Sequence, residues 1–345
     1  METIAEYYKK KTILITGGAG SIGRELTRML LRLDPSAVRV LDNNESGLYF
    51  LEQELNSRKI RTLVGDVRDK ERLRRATEEV DIIFHAAALK HVPLCEFNPF
   101  DAVKTNILGT QNIIDCALDE EVDKMIMIST DKAVNPNNVM GATKMLAERL
   151  VTSSNNYKGK RNTSFASVRF GNVLDSRGSV FPLFEQQIKN GGPVTLTDPK
   201  MTRFVMSIPT AVGLILRAAE ITKGGEVFIL KMPSLKILDL IEEMIKFLAP
   251  DMGFKPEEIE IKTIGKRAGE KNYEELLTAD ETPYVTETKD MYILNQKRPA
   301  SKECCSHEGY SSKNAALLGR GEIMKLIKEV IELRNLDLSH RRYLS

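Results

Sequence analysis

The first half of the chain alternates two hydrophobic rhythms. Short runs rich in Ile, Val and Leu, such as TILIT (12–16), AVRVLD (37–42), IRTLVGD (60–66), DIIFHAA (81–87) and KMIMIST (124–130), read as buried strands. Between them apolar residues recur every three or four positions. Leu26, Met29, Leu30 and Leu33 mark one helix, and the same spacing predicts others over 48–55, 101–118 and 141–157. Strand, helix, strand repeated in this way predicts an α/β fold with right-handed crossovers, a doubly wound parallel Rossmann sheet.

The rhythm changes after residue 160. SFASVRFGNV (164–173) reads as a sixth strand, and a Gly-, Ser- and Pro-rich segment follows over 175–199. A helix over 209–222, a strand EVFIL (226–230), an amphipathic helix over 237–248 and a last helix over 322–334 complete the pattern. The expected organisation is a dinucleotide-type sheet domain over 1–172, rejoined by 203–230. A smaller C-terminal substrate lobe is expected from 173–202 and 231–345. Residues 295–319 lack periodicity and read as a mobile loop.

Composition narrows the partners. Apolar residues make up 42% and charged residues 28%, the balance of an ordinary soluble domain. Fifty basic against 48 acidic residues leave a net charge of +2, so no global field draws nucleic acid or anionic lipid. The start METIAEYYKKK has no apolar leader core and no later run has the length of a membrane span, so a cytoplasmic protein is expected. Cys95, Cys116, Cys304 and Cys305 form no C-x-x-C pair, and the four His sit at no metal-ligand spacing. Free thiols and no metal are expected.

The first candidate chemistry follows the first strand. Gly17, Gly20 and Gly23 in TGGAGSIG (16–23) form G-x-x-G-x-x-G between a strand and a helix. Glycines let backbone approach a pyrophosphate, and the helix N-terminus favours its charge, so the segment predicts NAD or NADP. Asp42, ending the second strand, suits the 2′-hydroxyl of NAD, and no Arg follows it directly. Asp66, ending the third strand, is either a contact to the adenine edge or a simple turn residue.

The glycine spacing resembles the extended short-chain dehydrogenase/reductase superfamily. FHAAALKHVPLCEFNP (84–99), TNILGTQN (105–112), ISTDKAVNPNNVMGATK (128–144), VRFGNVLDSRGSVFPLF (168–184), MTRFVM (201–206) and GKRAGEKNYEELL (265–277) narrow the resemblance to UDP-N-acetylglucosamine 4,6-dehydratases of surface-polysaccharide biosynthesis. The resemblance implies a tightly bound, recycled NAD or NADP contacted by Thr16, Ser21, Ile22, Val67, Ala86, Ala87, Asn106 and Lys144 beside the residues above. It implies Lys132 as the base for the sugar C5 proton, Asp131 as the acid for the leaving C6 hydroxyl, and Thr130 near the C4 oxygen. Lys90, Asn172, Arg203, Arg267 and Glu270 become contacts to a UDP-N-acetylhexosamine. A homodimer or higher homo-oligomer through the helices over 101–118 and 141–157 is implied as well.

One position departs from the superfamily. Where Tyr-x-x-x-Lys normally supplies a phenol, this chain has Met140 one helical turn before Lys144, and a thioether exchanges no proton. Asp131 and Lys132 are adjacent, and neighbours on a regular strand point apart, so the chain must bend for both to reach one substrate. Two alternatives stand beside the dehydratase: a UDP-sugar 4-epimerase or 4-dehydrogenase on the same fold, and a non-catalytic NAD(P)-sensing regulator. Met140 favours the regulator; Asp131, Lys132 and Lys144 oppose it.

Overall fold

A computed structural model describes residues 3–266, 269–295 and 308–342. The chain forms two compact units. The first takes Met1–Phe170, Pro209–Lys231 and Leu276–Gly309; the second takes Gly171–Ile208, Met232–Glu275 and the chain from Tyr310 onward.

The first unit is built on a nine-stranded sheet. Strands β1 (Thr12–Thr16), β2 (Ala37–Asp42), β3 (Ile60–Val64), β4 (Ile82–His85), β5 (Lys124–Ile128) and β6 (Ser164–Arg169) lie in the order 3-2-1-4-5-6, all parallel. The strand Val227–Leu230 continues the parallel run beside β6, and Met291–Leu294 and Val285–Glu287 close that edge antiparallel. Leu14, Ile83, Met125, Met127 and Phe165 on the strands meet Ile113, Ile114, Ala117, Ala147 and Val151 on the helices Gly109–Asp119 and Val139–Tyr157. Strands buried on both faces read as continuous apolar runs, which is why the pattern was legible. The order reverses between β1 and β4, and ligand crevices in such sheets open beyond the carboxyl ends of the strands at that reversal.

The second unit packs the helices Val180–Lys189, Ile237–Leu248 and Arg320–Arg342 around Phe181, Phe184, Leu240, Ile241, Met244, Ile323 and Ile327. A three-stranded sheet joins Ser234–Lys236, Thr202–Met206 and Asn172–Val173.

Several expectations change. The sixth strand ends at Arg169, and Asn172–Val173 pairs with Val205–Met206 in the second unit. The segment over 175–199 contains the helix Val180–Lys189, whose apolar Phe181, Phe184 and Ile188 outweigh the flanking glycines. Residues 203–208 belong to the second unit and 276–294 to the first, because pairing decides membership: Thr202–Met206 pairs with Ser234–Lys236, and Met291–Leu294 with Val227–Leu230. The helix over 101–118 is interrupted by a π-helical stretch, Val103–Leu108, and the last helix runs over Arg320–Arg342. Of the predicted loop, 296–307, with Cys304, Cys305 and His307, lies outside the described residues, while Tyr310–Ser311 is a short strand.

Candidate active site

The turn after β1 is made of backbone. Gly17 has φ +69°, and a Cβ there would stand 2.5 Å from the Ala87 nitrogen at the end of β4. Only glycine combines that conformation with that approach. Gly20 is the N-cap of the helix Ser21–Leu31 and makes no side-chain cap to it, so the helix start carries no competing side-chain acceptor from the cap residue. Asp42 braces the turn: Oδ2 accepts from Ala19 N–H at 3.0 Å and Oδ1 from Asn44 N–H at 2.9 Å. Each oxygen keeps a lone pair for a ribose hydroxyl. These residues fit a dinucleotide: a glycine cradle for the pyrophosphate, a helix N-terminus for its charge and a carboxylate for the ribose.

Asp66 is engaged differently. The Arg68 guanidinium donates to both its oxygens (2.9 and 2.7 Å), the Arg68 backbone N–H to Oδ1 at 2.9 Å, and Asn43 to Oδ2 at 3.2 Å. The Arg68 hydrogen bonds lower the Asp66 pKa to about 2. Sequence reading found no Arg following Asp42; Arg68 reaches this neighbourhood through Asp66, from the next strand end. Val67 is buried, and Ser21, Ile22, Ala86 and Ala87 are half-buried. Thr16 is fully buried, its hydroxyl 2.7 Å from Nδ1 of His85.

The turn after β5 is made of side chains. The strand stops at Ile128 and the chain coils into a single 3₁₀ turn, Asp131–Ala133. Thr130 caps it and donates to Asp131 Oδ1 at 2.8 Å. The coil is the bend that two adjacent functional residues need, and it brings Lys132 Nζ to 3.0 Å from Asp131 Oδ1. Asp131 is buried and its second oxygen, Oδ2, has no hydrogen-bond partner, whereas the Lys132 side chain is 27% exposed. A buried carboxylate oxygen left unsatisfied costs roughly 1–3 kcal/mol, an expense found where a ligand completes the site. Asp131 N–H donates to Phe170 O at 3.1 Å, tying the turn to the chain leaving β6.

The helix Val139–Tyr157 lies against this turn. A Cβ on Gly141 would meet the Lys132 carbonyl oxygen at 2.3 Å, so the glycine of GATK is what lets helix and turn touch. Lys144, buried, donates from Nζ to Ile128 O at 2.6 Å, and burial lowers its pKa to about 8 despite the opposing charge of Glu148. Met140 is buried beside Cys95 and Ala102, its sulfur in apolar company. Asn106, in the π-helical stretch, spends its amide on Leu89 (N–H to Oδ1 2.8 Å, Nδ2 to O 3.0 Å) and on Thr143 Oγ1 (2.9 Å). It therefore ties the strand-β4 exit to the Lys144 helix. Lys90 is exposed.

Behind the turn lies a network that sequence reading missed. Ser129 donates to Glu148 Oε2 at 2.8 Å, Arg169 binds Glu148 at 2.6 Å, and the same guanidinium reaches Glu281 at 2.9 Å. Burial opposes the Arg169 charge, but Glu148 and Glu281 hold its pKa above the ordinary value. The signal was present: an Arg inside the apolar run SFASVRF demands a carboxylate, and Glu148 follows Lys144 by one helical turn.

In the second unit, Asn172 Oδ1 is buried without a partner. Arg203 points its guanidinium at the carbonyls of Thr202 (2.8 Å), Asn272 (3.3 Å) and Lys271 (2.9 Å), pinning the segment that carries half-buried Glu270. Arg267 lies outside the described residues. Among the described residues no His, Cys, Asp and Glu cluster has the makings of a metal site, and no helix is long and apolar enough to cross a membrane.

The sheet order, the glycine turn and the Asp-Lys turn define an extended short-chain dehydrogenase/reductase. More narrowly, the chain belongs to the polysaccharide biosynthesis protein family, whose model matches residues 13–296. It is 60% identical over 331 residues to a Methanocaldococcus jannaschii protein named an uncharacterized membrane protein (95% of this chain, 98% of that one). It is 42% identical to the Campylobacter jejuni UDP-N-acetylglucosamine 4,6-dehydratase (inverting), with 84% of each chain covered. A Rickettsia rickettsii UDP-glucose 4-epimerase is 38% identical over 92% of this chain and 95% of its own. Among solved structures, Pen from Bacillus thuringiensis superposes with a TM-score of 0.88 at 44% identity, covering 94% and 98% of the two chains.

Proposed function

We propose that the protein is a UDP-N-acetylhexosamine 4,6-dehydratase, converting its substrate to a 4-keto-6-deoxy sugar nucleotide for surface-glycan synthesis. The observation that carries this reading is the contact of Lys132 with Asp131, a base and an acid 3.0 Å apart with one carboxylate oxygen buried and unpartnered. Elimination across C5 and C6 needs both roles at once. Asp131 becomes that acid by taking up the proton released from the C4 hydroxyl; Lys132, as the neutral amine, then takes the C5 proton while Asp131 protonates the departing C6 hydroxyl. Lys132 then gives its proton back to C5, which leaves the pair as it began. Bound at the glycine turn, NAD or NADP supplies the acceptor for the C4 hydride and the donor that returns it at C6. Met140 takes no part in proton transfer, so the C4 proton passes to Asp131 by way of Lys132. Lys144 holds positive charge and a donor beside the nicotinamide ribose and the C4 oxygen.

Asn172, Arg203, Arg267, Glu270 and Lys90 remain the proposed grip on the UDP-sugar, with Arg203 acting by holding the 271–274 segment in shape. Asp42 favours NAD; Arg68 is the group a 2′-phosphate would draw, and the mass of the dinucleotide released on denaturation decides between them. A homodimer completes the proposal, with Leu108, Met145 and Leu146 exposed on the helices concerned. The 4-epimerase is the second reading, favoured by the full-length likeness to the Rickettsia protein. Incubation with UDP-N-acetylglucosamine separates them: loss of one water marks the dehydratase, and an isomer of unchanged mass the epimerase. Lys132→Met is expected to lower turnover by about 10²–10⁴ and to stop solvent deuterium entering at C5. Near wild-type activity in that variant would overturn the assignment.

A further inference from the structure

A second set of buried groups has no role in the chemistry just described. Thr16, His85, Thr110, Asn106 and Thr143 are each 4% exposed or less. They come from β1, β4, the helix Gly109–Asp119, the π-helical stretch before it and the helix Val139–Tyr157. Thr16 Oγ1 is 2.7 Å from His85 Nδ1, and His85 Nε2 is 3.0 Å from Thr110 Oγ1. Thr110 Oγ1 lies 2.7 Å from Asn106 O, Asn106 Nδ2 lies 2.9 Å from Thr143 Oγ1, and Thr143 Oγ1 lies 2.8 Å from Met140 O.

Proton counting gives this chain one direction. A carbonyl oxygen only accepts, so the single hydroxyl proton of Thr110 goes to Asn106 O, and that of Thr143 goes to Met140 O. Thr110 must then accept from His85, which places the ring proton on Nε2. Nδ1 is left as an acceptor, and Thr16 donates to it. Asn106 cannot be turned over, because its oxygen already accepts from Leu89 N–H. The hydrogen bonds thus run in two stretches that meet at Asn106: Thr16 through His85 and Thr110 to the Asn106 main-chain oxygen, and the Asn106 side-chain amide through Thr143 to the Met140 carbonyl.

We infer that His85 is a positioning residue, held as the neutral Nε2–H tautomer, that locks the glycine turn to the helix turn carrying Met140 and Lys144. The chain stops at the backbone of the position where the superfamily has its phenol, so this turn is held by a carbonyl rather than by a side-chain hydroxyl. It also fixes the role of Thr16, whose proton points inward. Thr16 therefore offers a dinucleotide only lone pairs. The one charged group acting on His85 is Lys144, from the helix Val139–Tyr157; β1 and the helix Gly109–Asp119 face it with Thr16 and Thr110. Burial first, then the Lys144 charge, lowers the His85 pKa to about 3.

The inference rests on the proposed dehydratase only for its kinetic arm; its first arm is read on the protein alone. Nitrogen NMR of the full chain labelled at histidine should show one ring with a protonated Nε2 and a bare Nδ1, unchanged between about pH 5 and 9. With the His85 signals assigned by their loss in His85→Gln, a His85 ring protonated at Nδ1, or one that titrates in that range, overturns the proposal whatever the reaction proves to be. For the kinetic arm, His85→Leu breaks both links, and His85→Gln restores an acceptor and a donor at nearly the ring spacing. His85→Leu is expected to lose on the order of 10- to 100-fold in kcat with KM for the sugar nucleotide little changed. His85→Gln should recover most of it. If His85→Leu does not fold, His85→Gln and Thr143→Val carry the test, since their effects on kcat should be non-additive if the groups act as one chain. Additive effects, or a loss confined to KM, would overturn it.

Discussion

The turns after β1 and β5 leave the same sheet at the same carboxyl edge and are built from opposite materials. The first removes side chains. Gly17 approaches Ala87 so closely that a methyl group has no room, and Gly20 caps the following helix without a side chain. The second adds side chains, with a hydroxyl, a carboxylate and an ammonium in three successive positions, and needs support on every side. Gly141 lies beneath it, Phe170 O ties it to β6, and Ser129, Glu148, Arg169 and Glu281 stand behind it. A site that binds through backbone is damaged by added atoms; a site that works through charge is damaged by lost partners.

Three experiments can break or sharpen that contrast. The largest effect is expected at the support of the second turn. Arg169→Met leaves buried Glu148 and half-buried Glu281 without their cation, and stability in denaturant titration should fall by about 3–5 kcal/mol. A loss under about 1 kcal/mol would show that the turn does not depend on charge pairing. Next, Gly17→Ala forces a strained φ and a 2.5 Å contact, costing about 1–3 kcal/mol. The purified variant should lose its bound dinucleotide, measured by mass after denaturation. Retained cofactor would mean the backbone cradle tolerates added atoms.

Read per pH unit, the smallest effect concerns titration. Lys144 has its pKa lowered from about 10.5 to about 8, so between those values the unfolded chain binds a proton that the folded chain has released. This group's contribution to stability is therefore constant and unfavourable below about pH 8 and is relieved as pH rises toward 10.5. The wild type should gain on Lys144→Met by at most about 1.4 kcal/mol per pH unit across that window. A pH-independent gap between the two would refute the buried, proton-shedding lysine.

Legibility differed between the two turns for the same physical reason. Glycine spacing after an apolar run is local, so Gly17, Gly20, Gly23 and Asp42 could be found by reading along the chain. Asp131 and Lys132 were found by motif, and the need for a bend between them followed from strand geometry. Their support was harder to see. Glu148, Arg169 and Glu281 lie far apart in sequence, and each alone looks like a surface charge. The same holds for His85, whose hydrogen-bond partners come from two other elements.

Periodicity and composition by themselves determined the α/β class, the parallel sheet of the early strands and the glycine turn between the first strand and helix. These depend on interactions within about one strand–helix unit, where spacing maps directly onto a face or a turn. Tertiary structure alone decided that β6 ends at Arg169 and that 276–294 joins the large sheet. It also decided that Arg68 reaches Asp66, and which way the buried hydrogen bonds run toward Met140. Those outcomes turn on which distant groups share one buried space. There, a charge without a partner or a proton without an acceptor costs more than local propensity can offset.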